Sequence, residues 1–214
     1  MEDRKNCIKE TSHGEYDEKR SKFIALLAPA RSEEEALSII EAEKKKYYDA
    51  RHHCYAYVIG KKRDNKKMSD DGEPSRTAGA PVMEIMDSVG LFNAVLVVTR
   101  YFGGIKLGTG GLSRAYREAA RLALADADLI PVKPGETMKI SLRYEDSGTF
   151  ENYARNNSIF IKERSYTDKM DLSLIIPEEG MAGFRQFLKD LLQTDKIPDP
   201  ENSVIYSEKT GEIF

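Results

Sequence analysis

The spacing of apolar and polar positions changes several times along this chain, and each change predicts an element. "CIKETSHGEYDEKRSKFIALLAPA", residues 7–30, reads as two strands around a polar turn. "SEEEALSIIEAEKKKYY" follows with helical spacing. Ser32 is placed to cap it, acids fill its first turn and lysines its last, and Leu37, Ile40 and Tyr47 share one face. "HHCYAYVIG", residues 52–60, predicts a strand, and "KKRDNKKMSDDGEPSRTAGAP", residues 61–81, a long polar loop. A short helix, "VMEIMDSVG", leads into "NAVLVVTRYF", whose unbroken apolar run predicts a strand buried on both faces. A glycine-rich turn then opens a helix over residues 110–127, with Leu112, Ala115, Ala119 and Ala123 along its apolar side.

At "IPVKPGE", residues 130–136, two prolines and a glycine break this pattern and predict a linker. Beyond it the elements run strand, helix, strand, strand, helix, strand, the βαββαβ order of a ferredoxin-like domain. Met181, Phe184, Leu188 and Leu191 give the last helix a face for its sheet. The expected architecture is α+β in two domains, residues 1–131 and 135–214.

Composition narrows the class. With 40% hydrophobic and 32% charged residues the chain has the make-up of a soluble globular protein, and runs such as IALLA and AVLVV are too short to span a bilayer. The charged N-terminus, "MEDRKNCIKE", lacks the apolar stretch of a secretory signal, and two cysteines make no disulfide framework, so a cytoplasmic location with no membrane partner is expected. Net charge is −3, but it is unevenly placed. Residues 1–132 hold 22 Lys and Arg against 21 Asp and Glu, while residues 133–214 hold 11 against 15. An anion-binding surface therefore belongs in the first part.

The stretch "RYFGGIKLGTGGLSRAYREAA", residues 100–120, fits neither common nucleotide fingerprint. Gly103 and Gly108 have the P-loop separation, yet Thr109 stands where that motif needs lysine. Gly108 and Gly110 begin a dinucleotide pattern that Ser113 breaks. What remains is a helix N-terminus whose amides, at Gly110 and Gly111, favour anions. Arg114, Arg117 and Arg121 fall within roughly 60° on a helical wheel, and Arg100 and Lys106 flank the helix start. A second basic cluster, Lys61, Lys62, Arg63, Lys66 and Lys67, would complete a phosphodiester groove by closing over that face, with Tyr101 and Phe102 near enough to stack on a base.

Two other chemistries compete. Asp70, Asp71, Glu73, Ser75 and Thr77 gather oxygen for a hard cation or for acid–base work. His52 and Cys54 share one strand face, which is usable zinc geometry, but two ligands do not make a site and spacing brings neither His13 nor Cys7 to them. No metal or cofactor is expected.

"HHCYAYVIG", "SDDGEPSRTAGAP" and "VLVVTRYFGGIKLGTGGLSRAYREAA" together identify the chain as resembling the YigZ/IMPACT family in its two-domain bacterial form. Family members often read DDGEPSGTAG followed by a basic residue and proline; here Arg76 replaces the glycine and Ala80 the basic residue. The resemblance implies an N-terminal domain similar to the fourth domain of elongation factor G and a ferredoxin-like domain similar to its fifth. By that likeness it implies an RNA- or ribosome-binding accessory protein with a role in translation regulation and no catalytic residues. Its more acidic C-terminal domain is a candidate docking surface for a protein partner. The alternative is a hydrolase or phosphoryl-transfer enzyme acting on a small phosphorylated ligand at the glycine loop, with the Asp70–Thr77 loop facing that turn.

Overall fold

The structure is a computed structural model that describes residues 5–60 and 62–214. The chain divides into two compact units, Met1–Ile130 and Pro131–Phe214.

In the first unit, β2 (Ser12–Glu18), β3 (Ser21–Pro29), β6 (Ala94–Tyr101), β4 (His52–Ile59) and β5 (Asn65–Ser69) form one antiparallel sheet in the order β2-β3-β6-β4-β5. A short β1 (Lys5–Cys7) bridges to Leu91 through Asn6. Helix α1 (Glu33–Lys46) covers one sheet face, where Ala36 and Ile40 pack with Leu26, Tyr57, Val95 and Val97. Helices α2 (Gly79–Ser88) and α3 (Gly108–Asp126) lie on the other. β6 is the central strand and is sheathed on both sides, which is why its apolar run is continuous. The Ser32 hydroxyl accepts the Glu35 N–H and caps α1, as the sequence predicts, but Leu37 is exposed and Ala36 takes the inward position.

The expected loop over 61–81 is not continuous. Residues 65–69 form the edge strand β5 on β4, built from Asn, two lysines, Met and Ser, a composition that a buried strand would not tolerate but an edge uses against further pairing.

The second unit has an antiparallel sheet in which four strands run β10 (Asn202–Ser207), β7 (Ile130–Leu142), β9 (Met170–Pro177), β8 (Phe160–Tyr166). Numbered within the unit this is 4-1-3-2, the split βαβ arrangement, with α4 (Ser147–Asn156) and α5 (Met181–Leu192) bringing Phe150, Phe184 and Leu188 onto Met138, Ile140, Leu172 and Leu174. The expected linker at 130–136 is instead the first half of β7. Pro131 sits at the strand start. Opposite Pro134, the Ile205 carbonyl is taken by the Phe214 N–H, so the missing proline donor leaves no acceptor waiting.

Candidate functional site

The turn after β5 is assembled around Asp70. Its Oδ1 accepts the N–H groups of Ala78 and Gly79 at 2.9 Å, and its Oδ2 that of Arg76 at 2.7 Å. A carboxylate eight residues upstream thus caps α2, whose own N-cap, Ala78, has no side-chain acceptor. Burial, the largest single influence, pushes the Asp70 carboxyl up, but the three N–H donors outweigh it and hold it below the usual range. Asp71 accepts the His53 N–H at 2.7 Å, while its carbonyl lies 2.7 Å from His52 Nδ1. The Thr77 hydroxyl donates to the Pro74 carbonyl. Arg76 has a φ of 63°, the left-handed region where glycine is unstrained and a residue with a Cβ costs about 1–2 kcal/mol. That accounts for glycine at this place in the related motif.

Glu73 reaches inward from the same turn. Its Oε1 accepts Arg100 Nη1 at 2.7 Å and the Tyr116 hydroxyl at 2.8 Å, and the Glu73 and Arg100 side chains are only 4% and 6% exposed. The Cys54 thiol, 3.3 Å from the Tyr116 oxygen, donates to the Asp70 carbonyl. Burial pushes both Cys54 and Tyr116 far above their ordinary values, so the thiol is no nucleophile and the phenol stays a neutral donor. Arg100 Nη2 also reaches Ser21 Oγ at 3.4 Å, the same hydroxyl that accepts the Gly103 N–H at 3.1 Å. Its guanidinium lies over the rings of Phe23 and Phe102, 5.5 and 5.4 Å from their centroids. Arg100 is therefore not the solvent-facing phosphate contact that its place in the sequence suggests. It is the buried hub joining the acidic turn, the glycine turn and α3.

Next to this hub lie two exposed turns. Gly103 is pressed onto the β2–β3 turn: a Cβ there would lie 2.0 Å from the Arg20 carbonyl carbon. That turn holds Lys19 and Arg20, both at positive φ, between Glu18 and Ser21, which pair. Two consecutive left-handed residues make a type I′ turn, and nothing in "EKRS" signals it, since such turns favour Asn and Gly. α3 starts at Gly108, two residues earlier than expected, and no side chain caps it. The unpaired amides are then those of residues 107–110, and Gly111 belongs to the helical ladder. Lys106 and Arg114 are exposed and have no ion-pair partner among the described residues; Arg114 reaches back to the first turn, its Nη1 3.7 Å from a Gly110 Cβ position. Arg117 pairs with Glu84 at 2.5 Å and Arg121 with Glu118 at 2.6 Å, so the rest of the expected arginine stripe is partly neutralised. The Tyr101 hydroxyl is held by Asp49 at 2.7 Å, whereas Phe102 is half exposed.

The second basic cluster does not form a clamp. Strand pleating sends Lys66 to Asp87 on α2, alongside Arg63, and Lys67 to Glu33 on α1, on opposite sheet faces. Lys62 has no ion-pair partner among the described residues, and Lys61 lies outside them. In the acidic turn, Asp70, Asp71 and Glu73 are already bonded to N–H or O–H donors and Ser75 is exposed. Among the described residues no three His, Cys, Asp or Glu are grouped to hold a metal, and no helix is long and apolar enough to cross a membrane. Ser21 and Tyr116, both essential to the hub, carry no signal in the spacing.

Residues 19–124 match the Impact N-terminal domain, and residues 140–193 a domain of unknown function, DUF1949. IMPACT family member YvyE of Bacillus subtilis is 36% identical over 202 residues, covering 94% of this chain and 93% of its own. YigZ of Escherichia coli is 44% identical over 108 residues, about half of each chain. Protein IMPACT of Homo sapiens is 34% identical over 96 residues, 42% of this chain and 29% of that one. A crystal structure of a hypothetical protein, 30% identical, covers 90% of this chain and 95% of its own with a TM-score of 0.59.

Proposed function

The chain belongs to the IMPACT family, and from that premise we propose that it is a cytoplasmic RNA- or ribosome-binding accessory protein with a role in translation regulation and no chemistry of its own. The observation that carries the reading is the use made of the two motifs. Their charged residues Asp70, Glu73 and Arg100 are consumed in a buried network, and that network holds out a glycine turn bearing the unpaired cations Lys106 and Arg114. Lys19 and Arg20 extend the patch through the Gly103 contact. The exposed N–H groups of residues 108–110 would donate to one phosphate, and Arg117 and Arg121 would be recruited by exchanging Glu84 and Glu118 for phosphates. Phosphate contacts of this kind position without reading sequence.

The reading extends to domain roles. Residues 1–131 would carry the RNA contact in a domain similar to the fourth domain of elongation factor G. Residues 135–214, similar to its fifth, would offer the more acidic surface to a protein partner.

Binding of the full chain to ribosomes and to a structured RNA across a salt series tests it. Each phosphate neutralised contributes about 0.7–0.9 to the log–log slope, so Lys106→Glu/Arg114→Glu is expected to flatten the slope by at least about 1.4 and to leave the melting temperature unchanged. Wild-type binding with no salt dependence, or none at all, removes the assignment.

A further inference from the structure

We infer that Phe102 is a stacking platform for one unpaired nucleobase, an inference that rests on the RNA-binding reading and names the form of RNA the site takes. Phe102 is 50% exposed, a large apolar ring left half in water. Its ring is not loose. The Arg100 guanidinium lies over it at 5.4 Å, and that guanidinium is itself fixed by Glu73 and by the Phe23 ring. Phe102 thus has one face against a buried cation and offers the remainder to solvent.

Such a ring is ordered before any ligand arrives, so a base laid on it does not bear the side-chain ordering cost that usually accompanies binding. The neighbouring chemistry suits the rest of a nucleotide. Ile105, 42% exposed, and Lys106 lie three and four residues on in the same turn, and Arg114 follows on the helix it opens; both cations are exposed, have no ion-pair partner among the described residues and would serve the attached phosphates. A base inside a duplex has both faces covered by its neighbours, so this platform selects single-stranded or looped-out nucleotides over continuous helix, and it does so with little regard to which base is offered. Tyr101, the adjacent aromatic, is less available: it is part-buried, its ring packs edge-to-face with Tyr47 and its hydroxyl is bound to Asp49.

The test uses a single-stranded RNA oligonucleotide carrying 2-aminopurine, the same sequence as a duplex, and the full chain as wild type, Phe102→Ala and Phe102→Tyr. The platform predicts tighter binding of the single strand and quenching of 2-aminopurine by wild type and Phe102→Tyr. Phe102→Ala should bind about 5- to 100-fold more weakly, lose the quenching, and keep the wild-type salt slope because no phosphate contact is removed. If Phe102→Ala binds and quenches like wild type, or the duplex binds as well as the single strand, the platform is wrong while the RNA reading stands. If wild type binds neither RNA, both fail.

Discussion

Arg100→Met is expected to destabilise the N-terminal unit by about 3–5 kcal/mol, because it strands the Glu73 carboxylate in a site only 4% exposed. The loss is not confined to one ion pair. Glu73 Oε1 would retain the Tyr116 hydroxyl, but Ser21 loses a donor and Phe102 loses the guanidinium beneath it. Denaturant unfolding of the full chain measures this as a lower midpoint of the first unit's transition. Removing both charges, as Arg100→Met/Glu73→Leu, should recover much of the stability, since an apolar pair of similar volume avoids the burial of a lone charge. A double variant as unstable as the single one would mean that the network acts through geometry rather than charge. Arg100 Nε has no acceptor among the described residues, consistent with a side chain held as much by its two rings as by its hydrogen bonds.

Gly103→Ala is the second change with a large expected effect. The added carbon would stand 2.0 Å and 2.1 Å from the carbonyl carbon and oxygen of Arg20, and 2.5 Å from the Ser21 nitrogen, all of them backbone. No rotamer change relieves such a clash, so the glycine turn and the β2–β3 turn must separate, at about 3 kcal/mol or more. Gly104 supplies the contrast. It has a φ of 83° but nothing within 4 Å of a Cβ, so Gly104→Ala carries only the left-handed penalty of about 1–2 kcal/mol. Melting temperatures of the two variants should therefore fall in that order. RNA affinity should fall with Gly103→Ala even under conditions where the variant remains folded, because the backbone contact that holds the Lys19–Arg20 turn against the glycine turn is lost.

These two residues also show how far the sequence can be read. The α3 face was legible because Leu112, Ala115, Ala119 and Ala123 recur at helical spacing and are all buried. So was β6, whose apolar run marks a central strand. Arg100 was not. It ends that run, where a charged residue ordinarily marks emergence into water, and its partner Glu73 is 27 residues away on a turn with no regular pattern. A pairing of that separation depends on tertiary closure, which local spacing does not encode. The edge strand β5 was hidden for the opposite reason: an edge protected by lysines has the composition of a loop. In β7 the prolines suggested a break, but they fall at the strand start and at a position that needs no donor. The basic groove expected from two charge clusters depended on their meeting, and pleating sent Lys66 and Lys67 to opposite faces.

The surface proposed in its place is smaller: the glycine turn, Lys106, Arg114 and Phe102, beside a buried polar hub. Hydrogen–deuterium exchange of the full chain, with and without a saturating structured RNA, tests this location most directly. The account predicts slowed exchange concentrated in residues 102–114 and in the turn at Lys19 and Arg20. Protection confined to the C-terminal unit, with residues 102–114 exchanging at their unliganded rate, would contradict it.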